Sequence, residues 1–260
     1  MRLEGKIGIV TGAAGGIGSA TARMMVREGA TVIGADLSAE AVASAANLAT
    51  EKTHALDVTD FAGWERLVAS VLERHGRIDF LAHCAGIEGN YERGGVDTPI
   101  DEWNKVIGVN LTGSFLACKA VYPAMLKQGI GSVVLVSSIV SVMATSTGVA
   151  YGASKAGVEH LARSFAVIGW KNKTKVRCNS VHPGAIKTRM TDQIFTDFAT
   201  AAGADVEDIR AAIAGVLPMG HLGEPDDIAH MITYLASDEA KYASGAAYKV
   251  DGGWSVVDVG

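Results

Sequence analysis

The chain has 260 residues, 48% hydrophobic and 20% charged, with a net charge of −5. That composition suits a globular chain with a sizeable core, built as one large α/β domain or two small ones. No basic cluster stands out beyond Lys171 to Lys175, which argues against nucleic acid or an anionic membrane surface as the main partner. No apolar run approaches a membrane span, and Met1 to Lys6 leads straight into a strand, so no signal peptide is expected. Cys84, Cys118 and Cys178 lack metal-ligand spacing, and a reduced, cytoplasmic setting is expected for them.

Taken in order, Lys6 to Val10 is a short apolar strand, followed by the glycine-rich stretch Thr11 to Gly18 and a helix closed by Gly29. A strand that passes through glycines into a helix brings bare backbone and a positive dipole end to a phosphate group. The spacing Gly12, Gly15, Gly16, Gly18 meets the common dinucleotide fingerprint only loosely. The next strand, Thr31 to Asp36, ends in an acid eighteen residues past Gly18, where a dinucleotide-binding βαβ unit places the acceptor for the adenosine ribose hydroxyls. Ala13, Ala14 and Leu37 carry no charge to hold a 2′-phosphate, so NAD is expected over NADP. Asp36 could instead cap the following helix, a task open equally to Ser38.

Further along, Ser38 to Thr50 reads as a helix and Thr53 to Asp57 as a strand whose end lies near an adenine. Asp60 to His75 is a helix closed by Gly76, and Ile78 to His83 is a strand leading into Cys84, Ala85 and Gly86. Asp101 to Gln128 reads as one or two long helices with Asn110 in the middle. Ser132 to Ser138 is an almost wholly apolar central strand, Tyr151 to Trp170 a helix, and Val176 to His182 a strand broken by Pro183 and Gly184. Ala185 to Leu222 departs from the alternation and reads as a helical flap over the crevice, with an excursion that merely covers core as the alternative. Asp226 to Ala236 and Ala246 to Val250 are the last helix and strand. The alternation, without repeat or linker, predicts an α/β fold: one doubly wound parallel sheet with helices on both faces, spanning 1–260.

Tyr151 and Lys155 lie four residues apart on one helix face, and Ser138 ends the central strand thirteen residues earlier. A phenol beside an ammonium and a cationic nicotinamide loses its proton more easily than a free one, which makes it a usable acid/base. Taken with the glycine turn, Asp57, Ala85-Gly86, Asn110 and Pro183-Gly184, this set resembles the classical short-chain dehydrogenase/reductases from about Leu3 to Trp254. The resemblance implies a single-domain Rossmann fold and an NAD-dependent oxidoreductase acting on a small-molecule secondary alcohol or ketone. It implies that Tyr151 moves the proton, Ser138 holds the substrate oxygen, Lys155 lowers the phenol's pKa and binds the nicotinamide ribose, and Asn110 anchors a water in a proton relay. It also implies cofactor contacts at Gly12, Gly15, Gly16, Ile17, Gly18, Asp36, Leu37, Asp57, Val58, Ala85, Gly86, Asn110, Tyr151, Lys155, Pro183, Gly184, Ile186 and Thr188, and no metal.

His83 and Cys84 replace the family's usual pair of asparagines, which leaves the side-chain bracing of neighbouring strands in doubt; His83 is expected to fill the asparagine's place rather than catalyse. His54, His160, His182 and His221 read as ordinary packing or loop residues. A hydrolase is disfavoured, since neither Gly-x-Ser-x-Gly nor Ser-x-x-Lys occurs. A non-catalytic dinucleotide sensor would have no use for Ser138, Tyr151, Lys155 and Asn110, and the runner-up is an NADP-type 3-oxoacyl or carbonyl reductase. Apolar residues between Ser138 and Tyr151 and in the flap predict an uncharged, largely hydrophobic substrate, alicyclic or steroid-like. Excess apolar residues in Leu111 to Leu126 and Val158 to Ile168, and a C-terminal segment from Tyr248 to Val257, predict a homo-oligomer, as a tetramer by the resemblance.

Overall fold

A computed structural model describes residues 1–49 and 52–256. Seven parallel strands form one sheet: β1 (Ile7–Thr11), β2 (Thr31–Asp36), β3 (Thr53–Ala55), β4 (Phe80–His83), β5 (Ile130–Val136), β6 (Lys175–Pro183) and β7 (Ala247–Val250). Their order across the sheet is β3-β2-β1-β4-β5-β6-β7, so the direction of winding reverses between β1 and β4. In such sheets ligands lodge outside the carboxyl ends of the strands at that reversal. The ends of β1 and β4 meet there in register, with Thr11 opposite His83. This is the doubly wound Rossmann-type sheet expected from the alternation.

The central strands are apolar on both faces because each face is covered by helices. One face buries Ile9, Leu81, Val133 and Leu135 against α3 (Phe61–His75), α5 (Gly113–Gln128) and α6 (Val149–Lys171). The other buries Val10, Phe80, Val134 and Val181 against α1 (Gly16–Arg27), α2 (Ala39–Ala46) and α9 (Pro225–Ala236). Alternate side chains of β1, β4 and β5 therefore feed two separate cores. No helix among the described residues is long and apolar enough to cross a membrane.

Several element limits differ from expectation. The helix expected from Ser38 to Thr50 ends at Ala46, because Asn47 turns left-handed (φ 52°); Thr50 lies outside the described residues, as does Val257. Ser38, not Asp36, is its N-cap and accepts from the Ala41 amide. β5 ends at Val136, two residues before Ser138, which instead caps one short turn, Ile139–Ser141. The long helical stretch from Asp101 resolves into α4 (Ile100–Ile107), a π-helical turn (Gly108–Thr112) holding Asn110, and α5.

The flap consists of α7 (Arg189–Ala202) and α8 (Val206–Val216). Phe195, Leu217 and Leu222 are buried in a cluster with Ile194, Phe198, Ile209 and Ile213. Much of the flap's apolar character is thus spent on a small core of its own, which weakens the inference from flap composition to substrate polarity.

Trp64 on α3 joins core to site. It is wholly buried, its Nε1 donates to the Val58 carbonyl at 3.1 Å, and its ring lies 6.0 Å from the His83 ring. Trp64→Ala is expected to destabilise the fold by about 3–5 kcal/mol, the usual loss for a large buried aromatic. Denaturant unfolding checks this, and a loss under about 1 kcal/mol would contradict the packing described.

Candidate active site

The glycine turn follows from close approach. Gly12 is left-handed (φ 65°), and a Cβ there would stand 2.8 Å from the Ala85 amide nitrogen. A Cβ on Gly18 would lie 2.0 Å from the Gly12 carbonyl oxygen, inside any tolerable contact. These two positions require glycine for the turn itself. The mouth of α1 is left bare: Gly15 is its N-cap, no side chain caps it, and no acid occupies the first turn. Uncapped first-turn amides with a positive dipole end suit a pyrophosphate. Thr188 faces this mouth, its Cγ2 being 2.7 Å from where a Gly16 Cβ would sit, and its own hydroxyl caps α7. Ile17 is half-buried beside the same turn.

Asp36 closes β2 with both carboxylate oxygens held. Oδ2 accepts from the Ala14 amide at 3.0 Å and Oδ1 from the Leu37 amide at 2.8 Å. Leu37 is exposed and uncharged. Asp57 stands two residues beyond β3 and accepts from the Thr59 amide and hydroxyl, bonds that hold its carboxyl below the usual range. Val58 and Ile186 are buried: Val58 gives its carbonyl to Trp64, and the Ile186 side chain covers Gly223. The Gly184 amide donates to Val250, which extends the strand pairing just past Pro183. These features make a bare, elongated crevice from Asp36 past the glycine turn to Thr188. The uncapped amides at the mouth of α1 suit the phosphates of a dinucleotide.

At the far end of the crevice four expected residues come together, all buried: Asn110, Ser138, Tyr151 and Lys155. Lys155 Nζ lies 5.4 Å from the centre of the Tyr151 ring and donates to the Val136 carbonyl at 2.9 Å. A Cβ on Gly86 would sit 3.2 Å from both Lys155 Nζ and Asn110 Oδ1, so Gly86 floors the group. The Asn110 amide donates to the Ile87 carbonyl and to Ser154 Oγ, and its Oδ1 accepts from the Ile87 amide. Both side-chain donors are therefore occupied in stapling the loop after β4 to α6. The π-helical turn lets Asn110 reach both sides, and its backbone carbonyl accepts from Ser114 Oγ.

The electrostatics differ from expectation in one respect. Burial pushes the Tyr151 phenol up to about 12; a hydrogen bond with Ser138 opposes this, and the Glu88 carboxylate adds a smaller upward push. Burial brings the Lys155 ammonium down to about 8. The phenol is therefore not lowered by Lys155 in the protein alone. Desolvation favours the neutral form of each group and is the largest cause of both shifts.

His83 takes the asparagine's place as expected. Its Nδ1 bonds with Thr11 Oγ1 at 2.9 Å, and Thr11 Oγ1 accepts from the Ala85 amide. The brace between β1 and β4 thus survives the replacement. Burial holds the imidazole down at about 3, so it is neutral and unfit for acid/base work near neutral pH. His182 is the residue the sequence reading undervalued. It is buried and bonds with Ser141 Oγ, Ser180 Oγ and the Ser138 carbonyl. One available signal was Glu159, eight residues from Tyr151 on the same face of α6, which accepts from Ser141.

A shallow hollow of mixed lining lies over the first turns of α6, among Val140, Ser141, Met143, Thr145, Val149 and Ala153, and Tyr151 does not line it. A larger concavity of about 470 Å³ lies at the other end of the sheet, among Lys6, Arg77, Asp79, Arg177 and Asp238. There Arg77 is paired with Asp79 and Lys6 with Asp238, while Arg177 donates to backbone carbonyls. These charges are committed to structure, and the concavity lies away from the glycine turn and Tyr151.

A family model described as enoyl-(acyl carrier protein) reductase matches residues 12–255. The chain is 36% identical over 262 residues to the 2,5-dichloro-2,5-cyclohexadiene-1,4-diol dehydrogenase of Sphingobium indicum, covering 98% of each chain. It is 38% identical over 259 residues to the NADP-dependent (R)-specific alcohol dehydrogenase of Lentilactobacillus kefiri, again covering 98% of each. The crystal structure of levodione reductase superposes with a TM-score of 0.92 at 31% identity, covering 99% of this chain and 100% of that one. With the glycine turn and the residues gathered around Tyr151, these similarities establish that the chain belongs to the short-chain dehydrogenase/reductase family, oxidoreductases that use a nicotinamide dinucleotide.

Proposed function

We propose that this oxidoreductase is NAD-dependent and interconverts a secondary alcohol and a ketone, with Tyr151 as the general acid/base. The observation that carries the reading is the convergence of buried Ser138, Tyr151 and Lys155 at the end of the crevice that begins at the glycine turn. The dinucleotide, when bound, supplies the hydride acceptor or donor. Its pyrophosphate would lie on the mouth of α1, its adenosine ribose on Asp36, and its nicotinamide end between Lys155 and Thr188. The chain's own part is to hold the substrate oxygen on the Ser138 hydroxyl and to take or give its proton at Tyr151 Oη. Lys155 and Asn110 would connect that proton to solvent.

Asp36 supports NAD, because its carboxylate would repel a 2′-phosphate and neither Ala14 nor Leu37 offers a compensating cation. Family membership leaves this open, since one relative is named for NADP. The cyclic diol in one relative's name supports an uncharged, alicyclic substrate. The acyl carrier protein in the family model's description favours the second reading, a 3-oxoacyl or carbonyl reductase. A cytoplasmic setting is part of the same proposal.

Cofactor preference is tested by kcat/KM. NAD is expected to exceed NADP by on the order of 100-fold, about the cost of burying an unpaired like-charge contact. Asp36→Ser with Leu37→Arg should narrow or reverse that ratio. Equal efficiency with both cofactors in the native enzyme would overturn the assignment.

Tyr151→Phe keeps the ring and removes its only ionisable atom. Turnover should fall about 10²–10⁴-fold while NAD affinity stays near native. The sign of the pH dependence follows from the raised phenol. Alcohol oxidation needs the deprotonated form, so its rate should climb with pH toward an apparent pKa below the value of about 12 that burial imposes, because a bound cationic nicotinamide favours the phenolate. Ketone reduction needs the protonated form and should fall on the alkaline side. A near-native rate for Tyr151→Phe would remove the phenol from the mechanism.

We further propose a homotetramer. Phe115 on α5 and Val167, Ile168 and Trp170 on α6 are exposed in the single chain, giving these helices an outward apolar face. Light scattering at micromolar concentration should give about four times the 27.0 kDa chain mass. A monomer mass would contradict it.

A further inference from the structure

Beneath Ser138 lies a buried polar node that the roles above leave unused. His182, on the last turn of pairing in β6, bonds through Nδ1 with the Ser138 carbonyl at 3.1 Å and Ser141 Oγ at 2.9 Å. Its Nε2 bonds with Ser180 Oγ at 2.8 Å. Ser141 Oγ donates to Glu159 Oε2 at 3.1 Å, and Glu159 is also paired with Arg163. Tyr151, Lys155 and Glu159 follow at intervals of four on α6, so the helix that carries the acid/base also carries the far end of this node.

These contacts select one tautomer. The Ser138 carbonyl can only accept, so Nδ1 must carry the hydrogen to bond with it. Nε2 is then bare and accepts from the Ser180 hydroxyl. Ser141, having given its hydrogen to Glu159, turns a lone pair toward Nδ1–H. The opposite tautomer would set the Nδ1 lone pair against the carbonyl oxygen at 3.1 Å and leave both without a hydrogen. Burial, which lowers the imidazole's pKa, keeps the ring neutral against the smaller opposing pulls of the Ser138 carbonyl and Glu159.

The carbonyl of Ser138 also accepts from the Ser141 amide at 3.1 Å. Both of its lone pairs are thus held, one by the turn and one by His182. That fixes the peptide plane from which the Ser138 side chain springs. We propose that His182 is a positioning residue that acts through Ser138: its Nδ1–H fixes the Ser138 backbone and so aims the Ser138 hydroxyl at the reacting oxygen, with Ser141 and Glu159 holding the ring in place. This rests on the reading that Ser138 holds the substrate oxygen. His182 touches neither substrate nor cofactor in this account. Small errors in such aim are costly to turnover, because the hydroxyl must meet the oxygen as charge develops on it.

The test uses the full-length enzyme with NAD and its best alcohol. An asparagine side chain can place an N–H near the Nδ1 position, whereas a glutamine places its polar end near Nε2. His182→Gln should lower kcat about 10-fold with NAD affinity within about 2-fold of native, and His182→Asn should recover most of that loss. In a Ser138→Ala background, itself about 10²–10³-fold slower, His182→Gln should cost less than about 2-fold, since the hydroxyl it aims is gone. Ser141→Ala keeps the imidazole but removes a group that holds it, and carries the same cycle should the His182 variants not fold; its smaller loss should likewise vanish without the Ser138 hydroxyl. Equal damage from Asn and Gln, or an undiminished loss in the Ser138→Ala background, overturns the proposal alone. A near-native Ser138→Ala enzyme overturns the reading of Ser138 and the proposal with it.

Discussion

Two reciprocal hydrogen bonds hold α6 to the end of β5, and the site depends on them. Lys155 Nζ donates to the Val136 carbonyl at 2.9 Å, and Ser137 Oγ donates to the Lys155 carbonyl at 2.8 Å. Val136 is the last residue of the central strand, so its carbonyl has passed the edge of regular pairing and would otherwise lie buried without a strand partner. A lysine four residues after Tyr151 satisfies it. With the Ser137 bond, this bond ties the helix to the strand end and so sets the phenol near Ser138. The same ammonium is also brought beside Gly86, where the crevice narrows. One side chain therefore closes the core and equips the site.

This arrangement takes both ionisable groups out of water. Burial drives the phenol toward about 12 and the ammonium toward about 8, each toward its neutral form. The protein alone thus stores a proton on Tyr151 rather than releasing it. A positive charge arriving in the crevice shifts that balance, whereas a neutral ring does not. On the proposed reading, the charge of the bound nicotinamide would tip the phenol between its two forms. The spacing of Tyr151 and Lys155 revealed the partners, but desolvation depends on what covers them, which lies far away along the chain.

The same limit separates what was legible in the sequence from what was not. The strands and most helices follow from apolar runs bounded by glycines, and Gly76 and Asp60 end and begin α3 where they should. The positions of Asp36 and Thr188 were legible because one closes a strand and the other caps a helix. The π-helical turn at Asn110 was not, since residues 108–112 keep a helical pattern and only the bonds to Ile87 and Ser154 show why the turn widens. The flap's private core was missed for a related reason: Phe195 and Leu217 are apolar in either use, and composition cannot say which way they face. His182 was passed over because a lone histidine in an apolar strand carries no spacing signal. Its surroundings come from three elements: Ser138 and Ser141 from the turn after β5, Glu159 from α6 and Ser180 from its own strand.

Asp36 shows how the two ends of the crevice are built to different standards of redundancy. Its Oδ2 accepts from Ala14, inside the glycine turn, so the acid braces the loop as well as presenting a charge. On the proposed reading the residue that selects the adenosine ribose therefore also shapes the pyrophosphate site. A neutral amide at this position offers one acceptor oxygen where the carboxylate offers two, so it can keep the bond to Ala14 only by giving up the bond to Leu37. The Tyr151 end is braced differently, by Ser137, Ser154 and the Val136 carbonyl, none of which touches the phenolic oxygen. Removing that oxygen leaves its scaffold whole. Loss of chemistry and loss of architecture are thus separable at Tyr151 and coupled at Asp36, which follows directly from which atoms carry the supporting hydrogen bonds.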